Sequence, residues 1–181
     1  MFGRRKGKKA TADALYQGIS RKSDPSKESP ADMVAKAKET LGLSTKDVAE
    51  RLGVSERSVQ RWASGEGKPR WGNAAKLKNF VRDSPEMRRA QLSNLREARI
   101  KNQGSRIKVK GEMGVTSAGK KYRRNREIEA NLSPDAMSEV MEKWLQGDDQ
   151  GAMDALHEAL GSEYVDGFEL ADALEGLEFL R

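Results

Sequence analysis

The sequence predicts a mainly helical protein with a small α+β C-terminal part. In this fold class, a helix-turn-helix domain is followed by a basic helix and then by a small strand-containing domain. Three observations predict it. Apolar residues recur at helical spacing between residues 31 and 82, residues 106–110 alternate between apolar and basic side chains, and the sign of the charge changes near residue 130.

Residues 1–30 are predicted to be a basic tail and linker. They contain GRRKGKK near the start and SRKSDPSKESP near the end, where Ser, Pro and Lys dominate. A short helix between these two stretches fits the spacing of Ala12, Ala14, Leu15 and Ile19.

A helix-turn-helix domain is predicted for residues 31–82. Ser44 is the expected N-cap of its first short helix, and Gly53 is expected to end that helix in the left-handed conformation. Ala49 is small, which lets the second helix cross closely, and Val59 fills the space between the two helices. Cap, turn and core spacing agree, which favours this motif over a generic helical hairpin.

The second helix of the motif, which follows Ser55, is the predicted recognition helix. Such a helix enters the major groove and presents its N-terminal side chains to base edges. Arginine can form two hydrogen bonds with guanine, and glutamine can form two with adenine. The side chains predicted to contact DNA in this motif are Ser44, Ser55, Glu56, Arg57, Ser58, Gln60 and Arg61.

Residues 84–103 are predicted to form a basic connecting helix. Ser84-Pro85-Glu86 is a typical start, with a cap, a proline in the first position and an acid in the first turn. We expect its arginines to contact phosphates, because they are separate from the recognition helix. Phosphate contacts outside the recognition helix are predicted for Lys68, Arg70, Arg88, Arg89, Arg96 and Arg99.

Residues 104–181 are predicted to form a small α+β domain with an acidic C-terminus. One strand is expected at residues 106–110, and a second follows from the alternation of Ile128, Ala130 and Leu132. Between them, residues 120–126 combine five cations with one phenol and are interpreted as a basic loop. The cations of this loop that are predicted to contact DNA are Lys120, Lys121, Arg123 and Arg124.

Positive charge is concentrated in the first 130 residues. The chain has 181 residues, with 34 Lys and Arg and 28 Asp and Glu, yet residues 1–130 carry +17 and residues 131–181 carry −11. A +17 segment releases counterions when it binds phosphates, so nucleic acid is the first expected partner. The acidic segment is expected to avoid DNA and to bind a protein through its apolar residues, which are Trp144, Leu145, Phe168, Leu177 and Phe179.

The composition excludes several kinds of site. With no cysteine and one histidine, His157, the chain offers neither thiolate ligands, nor a histidine cluster, nor a Ser-His-Asp triad. Residues 114–120 nearly match a phosphate-binding loop, but Lys121 stands where that loop needs Ser or Thr. No apolar run is long enough for a membrane span, and no secretory signal is recognisable, so we expect a cytoplasmic protein without membrane insertion.

The order of these parts resembles the telomere terminal proteins of linear chromosomes and plasmids in actinomycetes. The matching pieces span nearly the whole chain and are Phe2-Gly3 with the Ala-rich stretch to Tyr16, LGVSERSVQRW, the Arg-rich helix at residues 86–101, MGVTSAGKKYRRNRE, Leu132-Ser133-Pro134 and the closing LEGLEFL. The chain departs from the family after Gly119. There the family has hydroxyl residues followed by acids, and this chain has Lys120, Lys121 and Tyr122.

The resemblance implies a protein that binds double- and single-stranded telomeric DNA, becomes covalently attached to 5′ ends and primes end replication. Its implied partners are a DNA polymerase and a telomere-associated protein, at replicon ends in the nucleoid. The chain itself is expected to be no enzyme and to have no cofactor of its own. Mg²⁺ and the deoxynucleotide would come through the polymerase.

Three hydroxyls are candidates for the DNA linkage. Tyr122 has the most suitable chemistry, because a phenol ionises more readily than an alkyl hydroxyl and neighbouring cations stabilise a phenolate. Thr116 and Ser117 lie in the segment that is most similar to the family. Alternatively, Tyr122 only packs or stacks on a base.

Two other functions fit the composition. The chain could be a helix-turn-helix transcription regulator that binds an operator as a homodimer through its C-terminal part. It could also be an architectural or partition protein that coats DNA. A palindromic footprint without a covalent product would favour the regulator.

Overall fold

The computed structural model describes residues 3–92, 102–117, 120–164 and 168–180. Within these ranges, the side chains of residues 3–11, 116–117, 121, 163–164 and 168–174 are outside the description. The described chain is mainly helical, with a three-stranded antiparallel sheet in its C-terminal part, which confirms the predicted fold class. It divides into two compact units, one of Asp24–Ser93 and one that combines Met1–Ser23 with Asn94–Arg181.

The elements follow one another in a simple order. The helices are α1 (Gly3–Ser20), α2 (Pro30–Leu41), α3 (Thr45–Leu52), α4 (Glu56–Ala63), α5 (Trp71–Asp83), α6 (Pro85–Gln91), α7 (Pro134–Leu145) and α8 (Asp149–Tyr164). The strands are β1 (Ser105–Ser117), β2 (Lys120–Leu132) and β3 (Phe168–Leu180). A 3₁₀ turn at Pro25–Lys27 precedes α2.

The unit Asp24–Ser93 is helical and is built around one apolar core. Four of its helices begin with a serine whose hydroxyl accepts a hydrogen bond from a first-turn backbone N–H, and these caps are Ser29, Ser44, Ser55 and Ser84. Each helix contributes one apolar stripe to the core. The buried core side chains are Met33, Val34, Ala37, Val48, Ala49, Leu52, Val59, Trp62, Leu77, Val81 and Met87.

The sheet of the other unit has the order β2-β1-β3, so β1 is the central strand. It pairs with β2 from Ser105 opposite Leu132 to Ser117 opposite Lys120, without a register shift. Its pairing with β3 contains irregularities near Gly111. α8 packs against β2 and β3, α1 packs against β3 and α8, and α7 packs against α8. These helices cover the sheet face that carries Ile107 and Val109, which are buried.

The prediction of a basic tail at residues 1–30 is wrong for most of that segment. Residues 3–20 form α1, whose side chains Leu15, Tyr16 and Ile19 are buried. Tyr16 packs against Trp144 of α7 with ring centroids 5.7 Å apart. The helix forms because these apolar residues can be buried only against distant parts of the chain, which local composition does not reveal.

The predicted linker is also folded at its end. The Asp24 carboxylate accepts a hydrogen bond from the Ser26 backbone N–H and lies 3.1 Å from the Arg82 guanidinium. Asp24 is buried, so this pair holds the segment before α2 against the end of α5.

The predicted connecting helix at residues 84–103 is not continuous, because its first part ends at Gln91 and residues 102–103 are helical again. α6 stops at Gln91, because Leu92 has an extended backbone with ψ of 133° and its side chain is buried. Residues 93–101, and with them Arg96 and Arg99, lie outside the described residues. Likewise, residues 120–126 are not a loop, because they belong to β2 and pair with β1.

The acidic segment does not offer the apolar surface that we expected. Trp144, Leu145, Leu177 and Phe179 are all buried in the core of their own unit. The side chain of Phe168 lies outside the described ones. These four side chains are part of a core that the unit needs for its own stability, so they are not available to a partner protein.

The α1 helix gives a direct test of this fold. Leu15→Ala removes a fully buried side chain, so we expect it to lower the free energy of unfolding by about 2–5 kcal/mol. Gln17→Ala changes an exposed position of the same helix and should change stability little. Urea unfolding followed by far-UV circular dichroism measures both, and equal stability of the two variants would show that α1 is not part of the core.

Candidate nucleic-acid interface

The turn between α3 and α4 has the geometry of a helix-turn-helix. Gly53 has φ 64° and ψ 44°, the left-handed conformation that glycine adopts without strain. Its backbone N–H donates to the Glu50 carbonyl, and the Val54 N–H donates to the Ala49 carbonyl at 3.0 Å. These bonds close the end of α3, and Val59 is then buried between the two helices.

Ser44 is used to cap α3. Its hydroxyl accepts the Asp47 backbone N–H at 3.2 Å, while the Asp47 carboxylate accepts the Ser44 backbone N–H at 2.8 Å. Hydrogen bonds from the Ser44 side chain and backbone lower the pKa of Asp47. The cap therefore stabilises α3 above the ordinary pKa of an aspartate and weakens as the pH falls through the lowered value.

One face of α4 is polar and exposed. Val59 and Trp62 lie on the opposite, buried face, whereas Arg57, Gln60 and Arg61 are exposed to water. Glu56 accepts a hydrogen bond from the Gln60 amide at 3.2 Å. Ser55 caps the helix, and its hydroxyl lies 2.8 Å from that of Ser58. The predicted recognition side chains thus share one surface, with Ser55 and Ser58 at its N-terminal end.

The segment after α4 folds back onto this face. The Gly67 N–H donates to the Arg61 carbonyl at 3.1 Å, and a Cβ at Gly67 would lie 3.4 Å from the Arg61 guanidinium. Lys68 and Arg70 follow and are both exposed, as a phosphate contact requires.

Trp71, the first residue of α5, was not predicted as a site residue and is 90% exposed. Trp71 lies three residues before Ala74, and this spacing is typical of two side chains on one apolar face of a helix. Periodicity alone therefore predicts that Trp71 is buried. Helical side chains point towards the N-terminus, and no preceding turn lies beneath the first residue. The indole is therefore left in water.

Arg88 is a correction to the predicted phosphate contacts. Its side chain is fully buried, and its guanidinium donates to the Asp83 carboxylate and to the Arg82 carbonyl, both at 2.9 Å. A buried, bonded guanidinium is not accessible to DNA. The neighbouring Arg89 is exposed and stays available for such a contact.

The β1–β2 hairpin carries its charges in two zones. On the outer sheet face near the base, cations of β1 pair with acids of the neighbouring strands, and these pairs are Arg106–Glu129, Lys108–Glu127 at 2.6 Å and Lys110–Glu175 at 4.0 Å. The hydrogen bond to Glu127 raises the pKa of Lys108. Residues 113–126, at the other end, include five cations and no acid. Positive charge is thus concentrated towards the hairpin end.

Tyr122 lies in this cationic zone and is 51% exposed. Residues alternate between the faces of a strand, so Tyr122 shares its face of β2 with Lys120 and Arg124, which are both exposed. Arg123 is exposed at the next position. A Cβ on Gly114 would overlap the Tyr122 carbonyl oxygen, so the close approach of the two strands here requires glycine.

The other two candidate hydroxyls lie on the facing strand. The Cα atoms of Thr116 and Ser117 pair with those of Lys121 and Lys120. The side chains of Thr116, Ser117 and Lys121 lie outside the described ones. The near match to a phosphate-binding loop does not form that loop, because Lys120 begins a strand and not a helix.

A model of the Homeodomain-like domain, a helix-turn-helix family, matches residues 31–68. This match covers α2, α3, α4 and the segment that folds back onto Arg61. The protein contains a helix-turn-helix domain. The function that this domain indicates is DNA binding. No curated protein and no solved structure is significantly similar to the chain.

In the part of the chain that the structure describes, no group of three or more His, Asp or Glu side chains is arranged to hold a metal ion. No described helix is both long and apolar enough to cross a membrane.

The exposed face of α4 is expected to set the preference for a DNA sequence. Arg57→Ala, Gln60→Ala or Arg61→Ala should each weaken binding to the preferred duplex by ~1–3 kcal/mol if the side chain contacts a base. Lys78→Ala, on the exposed side of α5, is the control and should affect preferred and random duplexes alike. Duplexes selected from a random pool and measured by fluorescence anisotropy test this. Unchanged preference in all three variants would exclude α4 as the recognition helix.

Substitutions of Arg88 and Arg89 should affect different properties: the first should lower folding stability, and the second should weaken DNA binding. Arg88→Ala removes a buried, bonded side chain and should cost ~3 kcal/mol in the free energy of unfolding. Arg89→Ala should leave stability unchanged and lower the slope of log affinity against log salt by about 1, since one phosphate contact is lost. Urea unfolding and a salt series of anisotropy titrations measure the two effects. If Arg88→Ala lowered the salt slope and Arg89→Ala did not, the assignment of the phosphate contact to Arg89 would be wrong.

Proposed function

We propose that this protein is a terminal protein that binds telomeric DNA of a linear replicon and becomes linked to 5′ ends through Tyr122. The observation that carries the proposal is the exposed phenol of Tyr122, which shares its face of β2 with Lys120 and Arg124 in a stretch of the hairpin that contains no acid. A nucleotide acceptor needs an accessible hydroxyl beside cations that can offset phosphate charge. The helix-turn-helix domain supports it independently, because it supplies duplex binding.

The proposed chemical step is a nucleotidyl transfer to the phenol. The Tyr122 hydroxyl transfers its proton to water as its oxygen attacks the α-phosphorus of a deoxynucleoside triphosphate. A bond forms between the phenolic oxygen and phosphorus, the bond between the α-phosphorus and the bridging oxygen breaks, and pyrophosphate leaves. The nucleotide's 3′ hydroxyl is then free to be extended. Lys120 and Arg124, on the same face of β2, offset the negative charge of the triphosphate.

The chain supplies the acceptor and not the catalyst in this proposal. A partner DNA polymerase provides Mg²⁺ and the deoxynucleotide, so the chain needs no cofactor or metal site of its own. A telomere-associated protein is a further partner, and the complex acts at replicon ends in the nucleoid. In this proposal the helix-turn-helix unit binds duplex DNA, and Tyr122 of the β1–β2 hairpin accepts the nucleotide.

A transcription regulator is the second candidate, and the Homeodomain-like match favours it as much as the first. In that case the protein binds an operator as a homodimer, and the exposed surface of α4 reads two half-sites. Tyr122 then has no chemical role. The two proposals differ in whether a covalent product forms.

Label transfer tests the acceptor. With the cognate polymerase, a telomeric template and an α-labelled deoxynucleotide, we expect the label to stay on the protein after SDS and heat. Tyr122→Phe should abolish labelling, because it removes only the hydroxyl. The bond should also resist alkali, since a tyrosyl phosphodiester cannot undergo the β-elimination that releases seryl and threonyl esters.

The other outcomes distinguish the alternatives. Alkali-labile label that is lost in Thr116→Val or Ser117→Ala would assign the linkage to β1 and contradict Tyr122. Unchanged labelling in the triple variant of Tyr122, Thr116 and Ser117 would place the linkage elsewhere. No labelling of the wild type, together with a palindromic footprint, would favour the regulator.

A further inference from the structure

Trp71 is the more exposed of the two large apolar side chains that the described chain leaves in water, the other being Tyr122. Both other tryptophans are buried, Trp62 at 4% exposure and Trp144 at 0%. An indole in water contributes nothing to the core, and tryptophan is enriched where proteins bind partners. The residues around Trp71 on the surface therefore indicate what kind of partner the indole contacts.

The segment that leads to Trp71 starts on the recognition face. Gly67 contacts Arg61 through the backbone bond and the close approach to its guanidinium. Trp71 lies four positions after Gly67, a span of at most about 14 Å. The major groove of B-DNA is about 12 Å wide, so a side chain at this distance from α4 reaches the sugar–phosphate backbone at the groove's edge.

The charge around Trp71 is of one sign. Residues 67–78 include four Lys and Arg and no Asp or Glu, although the chain as a whole has 28 acids. Lys68 and Arg70, on either side of Pro69, are exposed. This surface is complementary to a polyanion, and it is continuous with the α4 face.

We propose that Trp71, Lys68 and Arg70 form a second DNA contact, on the sugar–phosphate backbone beside the groove that α4 enters. The indole packs against deoxyribose, and the two cations bind the phosphates on either side. This contact carries no sequence preference of its own, because backbone atoms are the same at every base pair. The proposal rests on DNA binding through α4, as given under the proposed function.

The three tryptophans make the contact measurable in the unlabelled full chain. Acrylamide quenches indoles that are exposed to water, so Trp71 dominates the quenchable emission of the free protein. A mixed-sequence duplex of ~30 base pairs at low salt is the probe, because the contact is independent of sequence. At saturating duplex, we expect the quenching constant to fall to about half or less. The duplex should have little effect on the quenching of Trp71→Phe.

Substitutions separate the aromatic from the charged part. Trp71→Ala should weaken binding of a labelled duplex about tenfold, and Trp71→Phe clearly less, because a smaller ring still packs on the sugar. Lys68→Gln should lower the salt slope by about 1, whereas its charge-matched control Lys143→Gln, in the acidic segment, should not. Circular dichroism should show the same helix content in all variants, since Trp71 and Lys68 are exposed.

The outcomes distinguish this contact from the proposed function. If the wild type does not bind duplex DNA at low salt, both the DNA-binding function and the Trp71 contact are wrong. If it binds and Arg57→Ala weakens specific binding, but Trp71 remains equally quenchable or Trp71→Ala binds as well as the wild type, only the Trp71 contact is wrong. Shielding of Trp71 together with weaker binding of Trp71→Ala supports it.

Discussion

The pairing of β1 on both of its edges is the constraint on which the C-terminal unit depends. β1 is formed in the middle of the chain, but one of its partners, β3, lies at residues 168–180. α1, from the other end of the chain, packs against that same strand. The Arg21 guanidinium donates to the Phe179 carbonyl at 3.4 Å, which adds a polar contact between the two. Both ends of the sequence are therefore needed to bury one core, and the helix-turn-helix unit is inserted between them along the chain.

The same pairing determines where the positive charge is available. Acids of β2 and β3 lie across from the cations of β1 near the base of the hairpin, and these cross-strand pairs neutralise the outer face there. The stretch of β2 around Tyr122 contains cations and no acid. A net charge counted along the sequence therefore overstates the positive charge near the base of the hairpin. The proposed acceptor lies in the part of the hairpin whose sequence contains only positive charges.

In the helical unit, arginines divide between structure and surface. Arg82 and Arg88 bind Asp24 and Asp83, and the buried guanidinium of Arg88 also binds a backbone carbonyl, so these cations hold the unit together. Removing one partner of such a pair leaves an uncompensated charge, which explains why they come as bonded sets. Arg57 and Arg61 instead lie on the exposed side of α4. The arginines of this unit therefore have two roles: Arg82 and Arg88 stabilise the fold, and Arg57 and Arg61 lie on the surface.

The sequence alone determined the helix-turn-helix, because its signals are local. Ser44, Ser55 and Gly53 act within one turn of their own positions, and Ala49 and Val59 are only ten residues apart. The strand at residues 106–110 was likewise predicted from the alternation of its residues. The candidate recognition side chains followed directly, since α4 has one buried face and one exposed face.

Only the tertiary structure decided the rest, because the deciding contacts join residues that are far apart in sequence. For α1, only a short helix within a basic tail was predicted, since nothing near Leu15 indicates that Trp144 and Phe179 belong to the same core. Arg88 was predicted to be on the surface, since composition does not distinguish a cation that binds Asp83 from one that binds phosphate. Trp71 has the spacing of a core residue but lies where no preceding turn can cover it. Burial is a property of the packed chain, and for these residues it was decided by packing and not by local pattern.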